Sequence, residues 1–380
     1  MNFEEHAAKP LLTAAGIATP RGVLAERPDE AARAASELGA VVVKAQVPTG
    51  KRGKAGGIGL ADSPAEAEAR AQAIIGLEIA GHRVEKVLVE ERCGIAREFY
   101  AAVINDPASK SPLVMFSTEG GMDVEEIAAG APGKLRTAPV DIRQGFDQVA
   151  ARSLVKGLGL GEAADKVAKA LARLYAAYRS YDAELIEINP LALTDEGEVV
   201  ALDCKFVMDD SGVKRQAEVA AAGTPEKLTR LESRGQELVI KYIELDGDVG
   251  VLANGAGLTM TTMDVVRHHG GRPANFCEIG GEAYTKAKAA LELVLSKPGI
   301  RSLVVNFCGA FARCDVMMEG FLGAWEELRP EIPLAFSIAG TGDEEAIAML
   351  DERLGIAPHP DIDAACRAAV QADRATGDGQ

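Results

Sequence analysis

The hydrophobic pattern changes period several times along the chain. Residues 29–39 place small apolar side chains at helical spacing and end on a glycine suited to close a helix. Residues 40–47 then read as a strand, an apolar run interrupted by Lys44. The segment 48–59 is rich in glycine and basic residues. The pattern next predicts a helix over 64–81, strands over 86–90, 98–104 and 113–117, and a helix over 161–180. Two strand-like runs, 184–193 and 199–206, flank the polar turn Asp195-Glu196-Gly197-Glu198 and predict a hairpin. A charged stretch with few apolar residues, 209–236, reads as a connection between domains. Beyond it come repeated strand–helix units. Strands are expected at 249–253, 274–279, 302–307 and 334–338, with helices over 258–269, 343–354 and 361–374. Strands alternating with helices imply a parallel sheet that binds ligands at the carboxyl ends of its strands. The fold class is therefore α/β.

Composition narrows the function. Acidic residues outnumber basic ones 57 to 41, for a formal net charge of −16. A field of that sign repels nucleic acid and anionic lipid. No apolar run approaches the roughly 18 residues that span a bilayer. The amino-terminal residues are acidic and lack the pattern of a secretory signal, and the six cysteines form no Cys-x-x-Cys pair. A cytoplasmic protein, or the mature form of an organellar one, is expected.

Candidate chemistry concentrates at four places. Pro48 to Gly57 contains Lys51, Arg52, Gly53 and Lys54, a glycine-rich cationic loop suited to a polyphosphate, although it lacks the Walker A pattern. A solvated hairpin tip is the plain alternative. Lys44 either snorkels to the surface or meets a buried anion, and its place before that loop favours phosphate. In the hairpin, Glu187 and Asn189 share a face, as do Asp203 and Lys205. A four-residue loop puts Asn189 and Asp203 on opposite faces. A three- or five-residue loop, or one bulge, brings them together as two hard oxygen donors suited to Mg²⁺. Glu90 and Glu98 are suited to ribose hydroxyls, although exposed strand-end acids are the simpler reading. In the second half, Asn254-Gly255-Ala256-Gly257 and the run from Phe307 to Arg313 each join a strand to a helix, where unpaired N–H groups favour anions. The five histidines lack metal-ligand spacing, and His268-His269 reads as a helix end.

Several ordered motifs carry a resemblance. Glu-x-x-Ala-Lys-x-Leu-Leu (5–12), Lys-x-Gln (44–46), Arg-Gly-Lys-Ala-Gly-Gly (52–57), Ser-Thr-Glu-Gly-Gly (117–121) and Ile-Glu-Ile-Asn-Pro-Leu (186–191) are followed by Leu-Asp-x-Lys (202–205). Asn-Gly-Ala-Gly-Leu (254–258), Gly-Gly-x-Pro-Ala-Asn-Phe (270–276) and Arg-Cys-Asp (313–315) complete the set. The whole resembles the β subunit of succinyl-CoA synthetase, the ADP- or GDP-forming succinate–CoA ligase. The resemblance implies an ATP-grasp region over 1–225, a flavodoxin-like CoA-ligase domain over 240–374 and a frayed tail at 375–380. It also implies a separate α subunit that carries a phosphohistidine and most of the CoA site.

Carried over by residue, the resemblance gives ATP or GTP phosphates to Lys44, Lys51, Arg52 and Gly53. It gives base and ribose to Glu90, Cys93 and Glu98, and Mg²⁺ to Asn189 and Asp203. Glu187 would assist phosphoryl transfer, while Asn254, Ala310, Phe311 and Ala312 would meet the carboxylate or phosphohistidine. The chain departs from the family pattern at Pro48 and Lys51, at Glu278 to Ala283, at Cys308 to Phe311 and at Phe336 to Gly340. Most of these changes fall in the carboxylate-binding half, so the acid is succinate or a relative. A stand-alone ATP-grasp carboxylate–amine ligase and a silent nucleotide-binding subunit are the rival readings.

Overall fold

Valine-rich runs form the buried strands, and alanine-rich amphipathic runs cover them as helices. The computed structural model describes residues 1–122, 133–279 and 283–377, in two units, Met1–Glu226 and Lys227–Gln380. The first unit carries β1 (Asn2–Phe3), β2 (Gly22–Ala25), β3 (Val41–Ala45), β4 (Ile58–Ala61), β5 (Glu78–Ile79), β6 (His82–Arg83) and β7 (Val87–Glu91). It continues with β8 (Ile95–Asp106), β9 (Ser111–Ser117), β10 (Leu135–Pro139), β11 (Ala183–Thr194), β12 (Val199–Ala201) and β13 (Lys205–Met208).

A large antiparallel sheet runs β1-β13-β11-β8-β9-β10, with β12 also on β11. The helix Ala164–Ser180 packs on it, burying Leu171, Leu174 and Tyr175. A smaller sheet, β2-β7-β3-β4, is covered by helices Pro28–Leu38 and Pro64–Ile74 through Ala31, Ala35, Ala67 and Ala71. The expected helix over 64–81 stops at Ile74. Gly76 takes φ +94°, and Ala80 and Gly81 adopt left-handed backbone that turns β5 into β6. The stretch 209–236 is less irregular than its composition suggests. Thr229 and Glu232 form a capping box that starts the helix Arg230–Glu237.

The second unit holds β14 (Lys241–Glu244), β15 (Val249–Ala253), β16 (Asn275–Glu278), β17 (Ser302–Gly309) and β18 (Leu334–Gly340), in the order β14-β16-β15-β17-β18. The last four strands are mutually parallel, and β14 is antiparallel to β16. β14 is absent from the expected pattern because its alternation is short and lies beside charged sequence. Helices cover both faces. Helix Cys314–Leu328 buries Met317, Phe321 and Leu322 on one face, while Ala256–His268 and Ile362–Gly377 bury Val266, Cys366 and Val370 on the other. The chain runs outward in opposite directions from β15 and β17, which makes the carboxyl end between them a topological switch point.

The last helix continues through Gly377, into the stretch expected to fray, and residues 378–380 lie outside the described residues. So do residues 280–282 of the altered segment Glu278 to Ala283. His269 Nε2 lies 2.8 Å from Asp363 Oδ1 and ties two helices together, a packing role. Among the described residues, no helix is long and apolar enough to cross a membrane.

Candidate active site

The hairpin is the first positioning element. Leu193–Val199 is its last pair, leaving the five-residue loop 194–198, one of the arrangements that bring the two oxygen donors to one face. Glu187–Lys205 and Leu191–Ala201 share one register, which sets Asn189 opposite Asp203. Asn189 is held from outside the hairpin. Its Oδ1 accepts from Gly121 N at 2.8 Å, and its Nδ2 donates to Met122 O at 2.9 Å. Glu187 accepts from the buried Tyr100 hydroxyl at 3.0 Å, which fixes the orientation of its carboxylate.

The glycine-rich loop folds over the same face. Gly57 N donates to Arg52 O at 2.9 Å and Gly56 N to Gly53 O at 3.1 Å, closing a compact turn. A side chain at Gly57 would stand 3.0 Å from Ala45 Cβ and 3.1 Å from Arg52 O, so any larger residue would have to push the Arg52 backbone and Ala45 aside. The turn drives Arg52 inward, to 5% exposure, and leaves Lys51, Gly53 and Lys54 exposed. A cavity of about 200 Å³ results, bordered by Lys51, Arg52, Glu187, Asn189 and Asp203 together with Glu5.

Behind this cavity lies a buried ionic cluster. Lys44 Nζ donates to Glu5 Oε1 at 2.9 Å, Glu90 Oε2 at 2.6 Å and Leu202 O at 2.5 Å. Lys9 Nζ contacts Glu5 Oε1 at 2.8 Å and also pairs with Glu90. Arg52 Nη2 lies 2.7 Å from both Glu5 Oε2 and Asp203 Oδ1, and its Nη1 donates to Ala45 O at 2.8 Å. Lys44 thus meets buried anions, and those anions belong to the protein.

Burial alone would raise the Glu5 carboxyl, but Lys44, Arg52 and Lys9 hold it well below the usual value of 4.5. Burial would likewise lower Lys44 and Arg52, yet both are raised, Lys44 by Glu5, Glu90 and Asp203, and Arg52 by Asp203 and Glu5. A depressed carboxyl contributes stability above its unfolded pKa and loses it as pH falls through the folded value. The stability difference between the wild type and Glu5→Gln is therefore expected to be full at neutral pH and to shrink below about pH 4. Urea unfolding at neutral pH and at about pH 3 checks this. An equal difference at both would contradict it.

The remaining expected nucleotide residues stand apart from the small cavity. Glu90 has its two oxygens taken by Lys9 and Lys44, and it borders a second cleft of about 510 Å³ with His6, Thr13 and Leu88. Cys93 is half-buried, its thiol raised by burial and by Glu91 and Glu90. Glu98 pairs across β8 and β11 with Ala192, and its Oε2 would stand 2.6 Å from a Cβ at Gly121, the residue that holds Asn189. Cys93 and Glu98 border neither cavity. Glu5, Lys9 and Tyr100 were not singled out by residue chemistry. The Glu5–Lys9 spacing of four on a helix was their available signal. Tyr100 left no sequence signal of its own.

In the second unit, Asn254 follows β15 and clasps the end of β17. Its Nδ2 donates to Cys308 O at 2.9 Å and its Oδ1 accepts from Cys308 N at 2.8 Å. Ala310, Phe311 and Ala312 form the turn before helix Cys314–Leu328 rather than its first residues, because Arg313 is the extended residue that precedes the helix. Phe311 is 97% exposed. The switch point thus joins Asn254 to the Cys308 end of this turn. Among the described residues, no cluster of three or more His, Cys, Asp or Glu side chains could hold a metal ion. The Asn189–Asp203 pair offers two oxygen donors, a set that fits Mg²⁺, which keeps much of its own water.

The family model for an ATP-grasp domain matches residues 2–193, and that for a CoA-ligase matches 252–370. The chain is 46% identical over 355 residues, 93% of each chain, to a succinate–CoA ligase [ADP-forming] subunit beta from Rubrobacter xylanophilus. It is 43% identical to a succinate–CoA ligase [GDP-forming] subunit beta from Thermus thermophilus, over 92% of this chain and 93% of that one. An ATP citrate lyase from Methanothrix soehngenii, in complex with citrate and coenzyme A, superposes with a TM-score of 0.69. That match covers 94% of this chain and 95% of the other at 22% identity, and it shows a shared fold. The matches across both halves establish an ATP-grasp region followed by a CoA-ligase domain. This chain belongs to the succinate–CoA ligase β-subunit family.

Proposed function

We propose that this chain works with a separate α subunit as a nucleoside-diphosphate-forming carboxylate–CoA ligase, joining succinate or a related acid to CoA. The observation that carries the reading is the convergence of Lys51, Arg52, Glu187, Asn189 and Asp203 on one small cavity, in a chain of this family. Relatives bearing β-subunit names favour neither a stand-alone amine ligase nor a silent subunit. In the reaction, the γ-phosphoryl group of ATP or GTP passes to a histidine of the α partner and the diphosphate leaves. The acid and CoA then become acyl-CoA with release of phosphate.

The residues here serve that transfer by placement and charge, which is most of what phosphoryl transfer requires. Arg52, with Lys51 and Gly53 of its loop, holds phosphate oxygens over the cavity, and Lys44 supplies positive charge from beneath. Asn189 and Asp203 hold Mg²⁺. When bound, that ion neutralises charge on the phosphates. Glu187, oriented by Tyr100, assists transfer at the partner histidine. The base and ribose are assigned to Glu90, Cys93 and Glu98, which stand apart from the small cavity. In the second unit, Asn254 and the turn Ala310 to Ala312 receive the carboxylate or the phosphohistidine.

Labelling tests this directly. The complex with its α partner, given Mg²⁺ and γ-labelled ATP or GTP, is expected to carry acid-labile label on the partner chain. Label on this chain, or none on either, would contradict the reading.

A further inference from the structure

Arg52 occupies an unusual place for a residue assigned to phosphate. Its guanidinium is 5% exposed and bridges Glu5 Oε2 and Asp203 Oδ1 at 2.7 Å each. Asp203 is also the proposed metal ligand, so one carboxylate is claimed by two cations. The surrounding charges sharpen the conflict. Lys9, Lys44 and Arg52 stand against Glu5, Glu90 and Asp203, and these named charges cancel.

A bare divalent ion brought to Asp203 would add two positive charges beside a buried guanidinium, with the single charge of Glu187, the other carboxylate on the cavity outside that balance, to set against them. Repulsion between such charges is strong where water is scarce. A metal-bound triphosphate differs, because its phosphates carry more negative charge than the one ion neutralises. Arg52 then has phosphate oxygens to turn to. Its fork of donors suits them as well as carboxylates. The turn that carries Arg52 closes on itself through Ala55 N, Gly56 N and Gly57 N, so the guanidinium can change partners without undoing a strand.

We infer that Arg52 is a resident counter-cation for Asp203, which bars free divalent metal from the site and yields the carboxylate only when metal arrives with a nucleotide. The inference rests on the Asn189–Asp203 metal reading. It adds an order of binding and makes Arg52 the residue that sets it. Arg52 is thus a positioning residue for the metal as well as a phosphate contact.

The test uses the full-length chain with its α partner and Mn²⁺ as probe, with free Mn²⁺ followed by electron paramagnetic resonance. If the Arg52–Asp203 contact is closed nine-tenths of the time, apparent metal affinity is weakened about tenfold. Without nucleotide, Arg52→Gln is expected to bind Mn²⁺ about tenfold more tightly than the wild type. Arg52→Lys, which keeps a positive charge, stays within about twofold of the wild type. Without nucleotide, Mn²⁺ bound no more tightly by folded Arg52→Gln than by the wild type overturns the inference. Failure of the metal reading gives a different signature. In that case the double variant Arg52→Gln, Asp203→Ala binds Mn²⁺ without nucleotide as tightly as Arg52→Gln does.

Discussion

Asp203→Ala is expected to lower diphosphate release by the complex about a thousandfold, the scale on which charge-stabilising groups act in phosphoryl transfer. The aspartate sits opposite Asn189 in the hairpin register and lines the cavity with Glu187 and Arg52. Removing it takes away a hard oxygen donor and also leaves Arg52 with Glu5 as its remaining carboxylate partner. Asp203→Asn separates these effects, since it keeps an oxygen and loses the charge, and it should fall between the wild type and alanine. Steady-state assays at saturating nucleotide, with thermal melting to show that the variants are folded, measure the effect. Turnover of Asp203→Ala within about twofold of the wild type would remove this residue from the chemistry.

The second large effect is on stability. Glu90 accepts from Lys9 and Lys44, and both lysines are almost fully buried. Glu90→Ala leaves two ammonium groups sharing Glu5 in a place where water cannot replace the lost carboxylate. Breaking a buried ionic arrangement by deleting one member costs about 3–5 kcal/mol. For a unit of this size that lowers Tm by roughly 6–20 °C. Glu198→Ala is the contrast. It removes an exposed ion pair with Lys166 and should leave Tm nearly unchanged. Calorimetry on both variants decides the point, and equal small shifts would show that the cluster contributes little.

The two halves of the molecule were legible to different degrees. Strand β15 is found at its expected residues, and the helix Asp343–Leu354 likewise, because repeated strand–helix units leave a strong periodic signal. The ATP-grasp half was harder. β1, β2 and β4 are short edge strands with weak alternation, and the glycine turns at Gly76 and Gly81 ended a helix that its composition would have prolonged. The Asn189–Asp203 pairing was a matter of a single residue in loop length, which propensity does not determine and the five-residue loop settles. The ionic cluster was the least legible feature. Glu5, Lys9, Lys44, Glu90 and Asp203 are spread over some two hundred positions, and beyond the Glu5–Lys9 spacing nothing in the sequence pairs them. Only the sheet order, which sets β3 beside β7, brings Lys44 and Glu90 together.

The most direct test of the central claim is diphosphate release by the chain co-purified with its α partner. The assay contains Mg²⁺ and ATP or GTP, with CoA and, in turn, succinate, malate or citrate. Sustained release, beyond the one diphosphate per site that phosphorylates the partner histidine, that requires CoA and one particular acid is the predicted result, and it names the substrate at the same time. Release by the chain alone with an amine as acceptor, or none with any acid, would contradict the account.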